Sequence, residues 1–227
     1  MANSSKKAYR TGVSVFDDLF GPMHPGSIYL LVGRTALNRH IIDRLAVLSA
    51  SRGDATYYID GAHRADPFSM ARVLRLQRQD PRPVLERIRI ARAFTAYQMD
   101  SLVRESLTEL QELPEILIVT AMDSLLSDPE VDREEAKAMV QNCMASLIDI
   151  AKKGACVVIS ATGGSRESEL LARISPHCIN WASFTDRFPS RVRIVTRGGL
   201  WQDFTPLNPF QTMLEDFGAP NPAEEVG

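Results

Sequence analysis

The sequence contains little lysine, little cysteine and no long apolar run. Only five of its 26 basic residues are lysine, so 21 are arginine. The three cysteines, Cys143, Cys156 and Cys178, lack the CxxC spacing of zinc and redox sites, so we expect reduced, buried thiols and no disulfide framework or metal centre. No apolar run approaches the length of about 18 residues that a membrane-spanning helix needs. The polar N-terminus lacks the apolar region of a signal peptide, which predicts a cytoplasmic protein without a membrane partner.

The net charge is close to zero, but the charges are unevenly distributed. With 227 residues, of which 44% are hydrophobic and 24% charged, the chain has an ordinary globular composition, which excludes collagen-like and disordered proteins. The net charge of −2 does not by itself indicate a nucleic-acid binder. Residues 64–104, however, hold nine arginines and four acids, whereas residues 127–135 and the chain from Asp203 onwards are acidic. Arginine suits phosphate and carboxylate ligands, although a solvated face without a ligand is the simpler explanation of such a segment.

Short β-rich apolar runs alternate with helical patterns along most of the chain. Predicted strands cover residues 27–33, 55–60, 87–94, 115–120, 155–162, 178–183, 191–196 and 200–204. Predicted helices cover residues 38–51, 66–79, 95–112 and 132–153. Asp66 and Pro67 form a suitable N-cap and first helical residue, and Gly198 and Gly199 predict a hairpin between the last two strands.

This alternation predicts a three-layer α/β fold with a mostly parallel sheet. The last three strands have no helices between them, so they predict a C-terminal antiparallel extension. No internal repeat or long linker divides the chain. We therefore expect one core domain at 11–205, a flexible N-terminus at 1–10 and an acidic, proline-rich tail at 206–227.

The loop after the first predicted strand is the first candidate site, because ligands of doubly wound sheets bind beyond the carboxyl ends of the strands. Residues 33–40 (GRTALNRH) have the strand, loop and helix frame of a P-loop, GxxxxGK[ST]. Gly33 keeps the first glycine of that motif. Asn38, Arg39 and His40 replace the second glycine, the phosphate-binding lysine and the Mg²⁺-binding hydroxyl.

Four further segments resemble the RecA superfamily: bacterial RecA, the archaeal and eukaryotic strand-exchange recombinases and the KaiC-like ATPases. Residues 11–21 (TGVSVFDDLFG) are similar to the family's TGxxxLDxLLGG lead-in, and residues 25–27 (PGS) to the turn before its P-loop strand. Residues 58–67 (YIDGAHRADP) look like the FIDAEHALDP of RecA, and residues 89–98 (RIARAFTAYQ) like the VARAFxxxxQ element of the recombinases. The resemblance covers about residues 11–200 and implies a RecA-like P-loop fold.

The positions that the resemblance marks as catalytic hold other residues in this chain. The family has a glutamate after the second strand, an aspartate at the end of the fourth and a polar sensor after the fifth, whereas here these positions fall at Ala62, Thr120 and Thr162. Alanine can neither accept a proton nor orient a water molecule. Together with the replaced loop positions, these departures predict a pseudo-ATPase with no catalytic residue.

Nucleotide binding without hydrolysis is a separate question. The predicted vestigial nucleotide site comprises Gly33, Arg34, Thr35, Asn38, Arg39, His40, Asp60 and Thr120. Arg39, at a helix N-terminus, could contact a phosphate, but Mg²⁺ has lost its usual ligands. We therefore expect no cofactor, with ATP and Mg²⁺ or a simple anion as the alternatives. A metal site built from His40, His63 and Asp60 is disfavoured, so no metal is predicted.

The two loops that the resemblance implies would bind DNA are poor candidates, since residues 123–135 are acidic and residues 163–175 carry both signs of charge. A stronger candidate surface for DNA or a protein partner comprises Arg72, Arg75, Arg78, Arg82, Arg166, Arg173, Arg191 and Arg193. The recombinases polymerise through a Phe-x-x-Ala segment before the core, and residues 1–10 contain no phenylalanine. A homodimer or a RecA-fold protein partner is therefore favoured over a filament.

The leading functional hypothesis is a non-catalytic RecA-like accessory factor in DNA recombination or repair, acting through DNA or protein contacts. One alternative is a KaiC-like signalling or scaffold module without a DNA role. Another is an ATP-binding protein with an atypical P-loop. The three differ in whether the chain binds DNA and whether it binds ATP.

Overall fold

The computed structural model describes residues 7–107, 110, 112–164, 168–187 and 191–205, and within these ranges eight strands form one sheet. The strands are β1 (Ile28–Val32), β2 (Thr56–Asp60), β3 (Ile88–Arg92), β4 (Ile116–Thr120), β5 (Cys156–Ala161), β6 (Asn180–Arg187), β7 (Arg191–Thr196) and β8 (Trp201–Phe204). Their order in the sheet is β3-β2-β4-β5-β1-β6-β7-β8. The pairs from β3 to β6 are parallel, whereas β7 pairs antiparallel with both β6 and β8. The α/β fold, the mostly parallel sheet and its antiparallel C-terminal part are thus confirmed.

Most helices begin at a side chain that accepts a hydrogen bond from the first turn. The helices are α1 (Ser14–Phe20), α2 (Ala36–Ser51), α3 (Pro67–Leu76), α4 (Pro81–Leu85), α5 (Ala96–Ser101), α6 (Met122–Leu126), α7 (Arg133–Lys152) and α8 (Ser168–Ile174). The capping residues are Thr35, Asp66, Asp80, Thr95 and Asp132. The helix predicted over 95–112 is α5 followed by a π-helical turn at Leu102–Ser106. Sequence patterns missed α1, α4, α6 and α8, because helices of five to seven residues are too short to display an apolar stripe.

The packed structure begins before residue 11. Tyr9 is only 1% exposed and forms a β-bridge with Met23 through two backbone hydrogen bonds. The Lys7 ammonium forms an ion pair with the Asp54 carboxylate. Burial of the Tyr9 ring holds residues 7–10, part of the segment predicted to be flexible, against the domain. Residues 1–6 and the predicted tail at 206–227 lie outside the described residues.

Two hydrophobic clusters cover the two faces of the sheet. Side chains of α1 to α4 pack on one face, and side chains of α5 to α8 pack on the other. Successive residues of β1 alternate between them, since Tyr29 and Leu31 join the first cluster and Ile28 and Leu30 the second. All three cysteines are buried and free, as predicted. Among the described helices, none combines the length and the apolar character needed to cross a bilayer.

Candidate functional site

A cavity of about 260 Å³ lies where the loops after β1, β2, β4 and β5 meet at the carboxyl edge of the sheet. Its lining includes six of the eight residues of the predicted vestigial site: Gly33, Arg34, Thr35, Asn38, Arg39 and Thr120. The rest of the lining consists of Ile42, Tyr58, Gly61, Ala62, Arg64, Ala121, Ser124, Ser160, Ala161 and Thr162. His40 and Asp60 are not part of it. The loop at residues 33–40 therefore borders a cavity, but two of the eight residues of the predicted site do not line it.

Gly33 has a packing role that is independent of any ligand. Its φ of +143° is one that residues with a side chain rarely adopt, and a Cβ added there would lie 2.4 Å from the carbonyl oxygen of Phe184 on β6. The Gly33 N–H donates a hydrogen bond to the Ala161 carbonyl at the end of β5. The first glycine of the P-loop frame is thus required for the close approach of the β1 loop to the neighbouring strand.

The side chain of Asn38 closes the loop in which a phosphate would have to sit. Its Nδ2 donates to the Gly33 carbonyl at 2.7 Å and to Ser160 Oγ at 3.3 Å. The Asn38 backbone N–H donates to Thr35 Oγ1, the N-cap of α2, at 3.1 Å. One of the N–H groups that a P-loop directs at phosphate is therefore already paired within the protein. Asn38 is only 2% exposed, whereas Arg34 and Arg39 of the same loop are exposed.

Two titratable side chains of α2 lie outside the cavity lining. Burial lowers the pKa of His40 to about 4, with repulsion from Arg44 and Arg39 adding to the effect, so His40 is neutral at pH 7. A neutral imidazole does not replace the hydroxyl oxygen that Mg²⁺ prefers. Burial raises the pKa of Asp43 to about 7, against a smaller opposing contribution from the Arg39 guanidinium. Neither side chain supplies a metal ligand to the cavity.

Asp60, at the end of β2, holds the following loop in place. Its carboxylate is fully buried and accepts hydrogen bonds from the backbone N–H groups of Arg64 at 3.2 Å and Ala65 at 2.9 Å. Thr120 Oγ1 donates to the same carboxylate at 3.2 Å, and the Arg92 guanidinium lies 3.7 Å from it. Asp60 therefore acts as a cap for the loop after β2. Thr120, where the resemblance expected an aspartate, is its hydrogen-bond partner.

Asp123, in the first turn of α6, is a second fully buried carboxylate, and its role was missed by sequence reasoning. It accepts hydrogen bonds from the Thr162 N–H at 2.9 Å, the Thr162 hydroxyl at 3.0 Å and the Gly163 N–H at 3.1 Å. These bonds tie the loop after β4 to the loop after β5. The sequence offered one signal, because Asp123 is the only charged residue in the mostly apolar stretch 116–126.

The cavity lining combines positive charge with hydroxyl groups. Arg34, Arg39 and Arg64 all line the cavity and are exposed. Hydroxyls come from Thr35, Tyr58, Thr120, Ser124, Ser160 and Thr162. Among the described lining residues there is no carboxylate, and the described part of the chain contains no cluster of three metal-ligating side chains. Such a donor set does not fit Mg²⁺, which takes oxygen ligands that usually include a carboxylate, but it fits an anion.

The structure divides the predicted arginine surface between opposite parts of the molecule. Arg72, Arg75, Arg78 and Arg82 are exposed on α3, α4 and the turn between them. Arg173 lies on α8, Arg191 and Arg193 lie on β7, and Arg166 lies outside the described residues. Six inter-strand steps separate β3 from β7 in the sheet, which is roughly 29 Å.

Arg193 forms a bidentate ion pair within the sheet. Its guanidinium binds both carboxylate oxygens of Asp203, at 2.7 and 2.8 Å, and stacks 4.5 Å from the Trp201 ring centroid. Asp203 raises the pKa of Arg193, and Arg193 lowers the pKa of Asp203. Arg193 therefore fits a role in holding β7 against β8 better than a role in binding a ligand.

Exposed aromatic side chains next to the arginines of α3 were not predicted from the sequence. Phe68, in the first turn of α3, is 86% exposed, and Phe94, just after β3, is 65% exposed. The His63 ring packs against Phe94 with 4.3 Å between centroids. One feature of the sequence pointed to the exposure of Phe68: it does not belong to the apolar stripe of α3, whose buried residues are Met70, Ala71, Val73 and Leu74.

Comparisons with protein-family models and curated proteins do not assign this chain to a family. No protein-family model and no curated protein matches the chain.

Proposed function

We propose that this chain is a RecA-like protein without ATPase activity that acts as an accessory factor in DNA recombination or repair. The RecA-like assignment rests on the order and spacing of the sequence motifs. The α/β sheet is compatible with it, as is the loop between β1 and α2 at the carboxyl edge. The absence of catalysis rests on the chemistry of the cavity.

The observation that carries the proposal is the state of two carboxylates at the carboxyl edge of the sheet, Asp60 at the end of β2 and Asp123 in the first turn of α6. ATP hydrolysis in P-loop proteins needs a bound Mg²⁺ and a side chain that positions the attacking water. Asp60 and Asp123 are fully buried, and each accepts at least three hydrogen bonds from loops at the carboxyl edge. Turning either one towards a metal would leave buried N–H groups unpaired, at about 1–3 kcal/mol each.

A second candidate function is the metal-independent binding of a phosphate-bearing ligand. The three arginines of the cavity would supply the charge that Mg²⁺ supplies in an ATPase, and guanidinium groups bind phosphate in a bidentate manner. Asn38 would keep the ligand outside the closed loop. This candidate is compatible with the first, since an accessory protein can bind a nucleotide without hydrolysing it.

The test of catalysis is phosphate release from ATP by the full chain with Mg²⁺. We expect a rate equal to that of buffer without protein. A rate above that level that Arg39→Ala abolishes and Arg133→Ala preserves would contradict the proposal. Arg133 is a suitable control, because it is exposed on α7 and is not part of the cavity lining.

The test of metal-independent binding is the shift in melting temperature with ATP, measured once with Mg²⁺ and once with EDTA. We expect the same shift in both conditions, its loss in Arg39→Ala and its retention in Arg133→Ala. A shift that requires Mg²⁺ would contradict this candidate and would weaken the case against catalysis. No shift in either condition would exclude ATP as the ligand and leave the non-catalytic proposal unaffected.

The accessory role predicts a protein partner with a RecA fold, DNA, or a second copy of the chain. Affinity capture identifies a RecA-fold partner, and light scattering of the purified chain identifies a homodimer. Binding of DNA that weakens with salt supports the recombination or repair role. If DNA does not bind even at low salt, the KaiC-like scaffold alternative is favoured.

A further inference from the structure

The face formed by α3, α4 and the outer strand β3 carries a high density of positive charge. Residues 61–94 contain eight arginines and three acids, a net charge of 8 − 3 = +5. All eight arginines are exposed: Arg64, Arg72, Arg75, Arg78, Arg82, Arg87, Arg89 and Arg92. Arg89 lies on the other side of β3, because its neighbours Ile88 and Ile90 pack with the cluster that contains α3 and α4. Two of the acids, Asp66 and Asp80, cap helices, and the third, Glu86, pairs with Arg82 at 3.3 Å. Asp60, just before this segment, lies 3.7 Å from the Arg92 guanidinium. The acids are therefore engaged locally, and the net charge of the face remains positive.

The same face presents aromatic rings to solvent at its upper end, next to the carboxyl ends of β2 and β3. Because Asp60 and Arg92 are opposite each other in the β2–β3 register, His63 and Phe94 emerge side by side from the two strand ends. The His63 backbone has a left-handed φ of 53°, and its ring lies against Phe94. The contact with Phe94 is thus made by a residue whose backbone conformation is uncommon for residues with a side chain.

Phe68 belongs to the same end of the face. The Arg92 guanidinium donates to the Ala65 carbonyl at 3.1 Å, which joins the end of β3 to the loop that leads into α3. Phe68 follows three residues later and shares the exposed side of α3 with Arg72 and Arg75 at i, i+4 and i+7 spacing. Two exposed phenylalanines thus lie at the top of an arginine-rich face.

From this arrangement we propose that the α3–β3 face binds single-stranded nucleic acid, with bases stacked on Phe68 and Phe94 and phosphates held by the surrounding arginines. Stacking on aromatic rings along a positive surface is the general mode of single-strand binding without sequence preference. In a duplex the base faces are covered, so the exposed rings favour a single strand. This face gives a location to the DNA contacts of the proposed function, and its biological meaning rests on that function.

The acidic side of the molecule limits the path of the strand. Tyr97, on α5, is also exposed, but its hydroxyl bonds to the Glu135 carboxylate, at the start of the acidic N-terminus of α7. Phosphates are repelled there. The strand is therefore expected to run from Phe94 across Phe68 and along α3 towards the turn that contains Arg78.

The test uses fluorescence anisotropy of a labelled 20-nucleotide oligothymidylate with the full chain, at low salt and over a salt titration. We expect binding that weakens as salt rises. The double variant Phe68→Ala/Phe94→Ala should lose at least about fivefold in affinity. Trp201→Ala, an exposed aromatic on β8 at the opposite edge of the sheet, should bind as the wild type does.

A second variant separates phosphate binding from stacking. Arg75→Ala/Arg78→Ala should reduce the slope of log affinity against log salt by about 0.7 for each phosphate that the variant no longer neutralises, whereas the phenylalanine variant should keep that slope. Three results would overturn the inference: no binding at low salt, equal binding by the phenylalanine variant, or tighter binding of the corresponding duplex. Unchanged far-ultraviolet circular dichroism and melting temperature show that each variant is folded.

The outcome is independent of the test of catalysis. If the chain hydrolyses ATP but the phenylalanine variant loses single-strand binding, the non-catalytic proposal fails and the assigned face stands. If the chain neither hydrolyses ATP nor binds the oligonucleotide, the face is not a nucleic-acid site, while the absence of catalysis stands.

Discussion

Because the carboxyl of Asp43 is buried, we predict that the free energy of unfolding depends on pH in a specific way. Asp43 lies on α2, is 8% exposed, and its Oδ1 has no hydrogen-bond partner within the described residues. Burial raises its pKa from 3.8 to about 7, the carboxylates of Asp60 and Asp66 add to this effect, and Arg39 opposes it. The folded state therefore holds the Asp43 proton more tightly than the unfolded state does.

The sign and size of the effect follow from proton linkage. Because the folded pKa is the higher one, the stabilising contribution is fully present below pH 3.8 and is lost as the pH rises through about 7. A shift of about 3 pH units corresponds to about 4 kcal/mol. Asp43→Asn removes the ionisation, so this variant should have nearly wild-type stability at pH 4 and should exceed it by up to about 4 kcal/mol at pH 8.

The assay is urea denaturation of the wild type and Asp43→Asn at half-unit steps from pH 4 to 8.5. Asp18→Asn serves as a control, because Asp18 is exposed on α1 and its replacement should change stability by less than about 0.5 kcal/mol at every pH. A stability difference between wild type and Asp43→Asn that does not change with pH would refute the reasoning. It would mean that the carboxyl of Asp43 is solvated or paired in solution.

Two further predictions concern the loops at the carboxyl edge. Asp123→Ala removes the acceptor of the Thr162 and Gly163 N–H groups and should lower the free energy of unfolding by about 3 kcal/mol in urea titrations; a decrease below about 1 kcal/mol would show that water replaces the carboxylate. Gly33→Ala puts a Cβ 2.4 Å from the Phe184 carbonyl and should cost more than about 2 kcal/mol in the same assay. Gly199→Ala is the control, because φ is also positive at Gly199, at +76°, but nothing lies within 4 Å of the added Cβ. Equal destabilisation of the two variants would contradict the steric explanation.

The sheet could be predicted from the sequence because its strands are apolar runs bounded by turn residues. Residues 115–120 and 155–162 correspond to β4 and β5, whose side chains are almost all buried. Asp66 and Pro67 marked the start of α3 correctly. Periodicity and capping are local properties, so they can be recognised without knowledge of the contacts between distant segments.

The site was predicted less completely, since its chemistry depends on contacts between distant segments. Asp60 was expected to lie in a nucleotide site, but the loop after β2 folds back and uses the carboxylate as a cap. Asp123 was grouped with an acidic loop, although its partners lie 39 and 40 residues away in the chain. Which hydrogen bonds a polar side chain makes across a fold is not encoded in the spacing of its neighbours. The exposure of Phe68 and Phe94 was missed because it too depends on how distant segments pack.

The cross-links formed by Asp60 and Asp123 also bear on how this protein could transmit a signal. Nucleotide switches work because the ligand's phosphate orders loops that are loose without it, so the two states differ in the contacts that they offer to partners. Here protein groups already tie together the loops after β2, β4 and β5. A bound anion has little conformational freedom left to remove, so it can shift the population of states only slightly. For the partners proposed above, we therefore expect association to depend on the concentration of this protein and not on the nucleotide state of the cell.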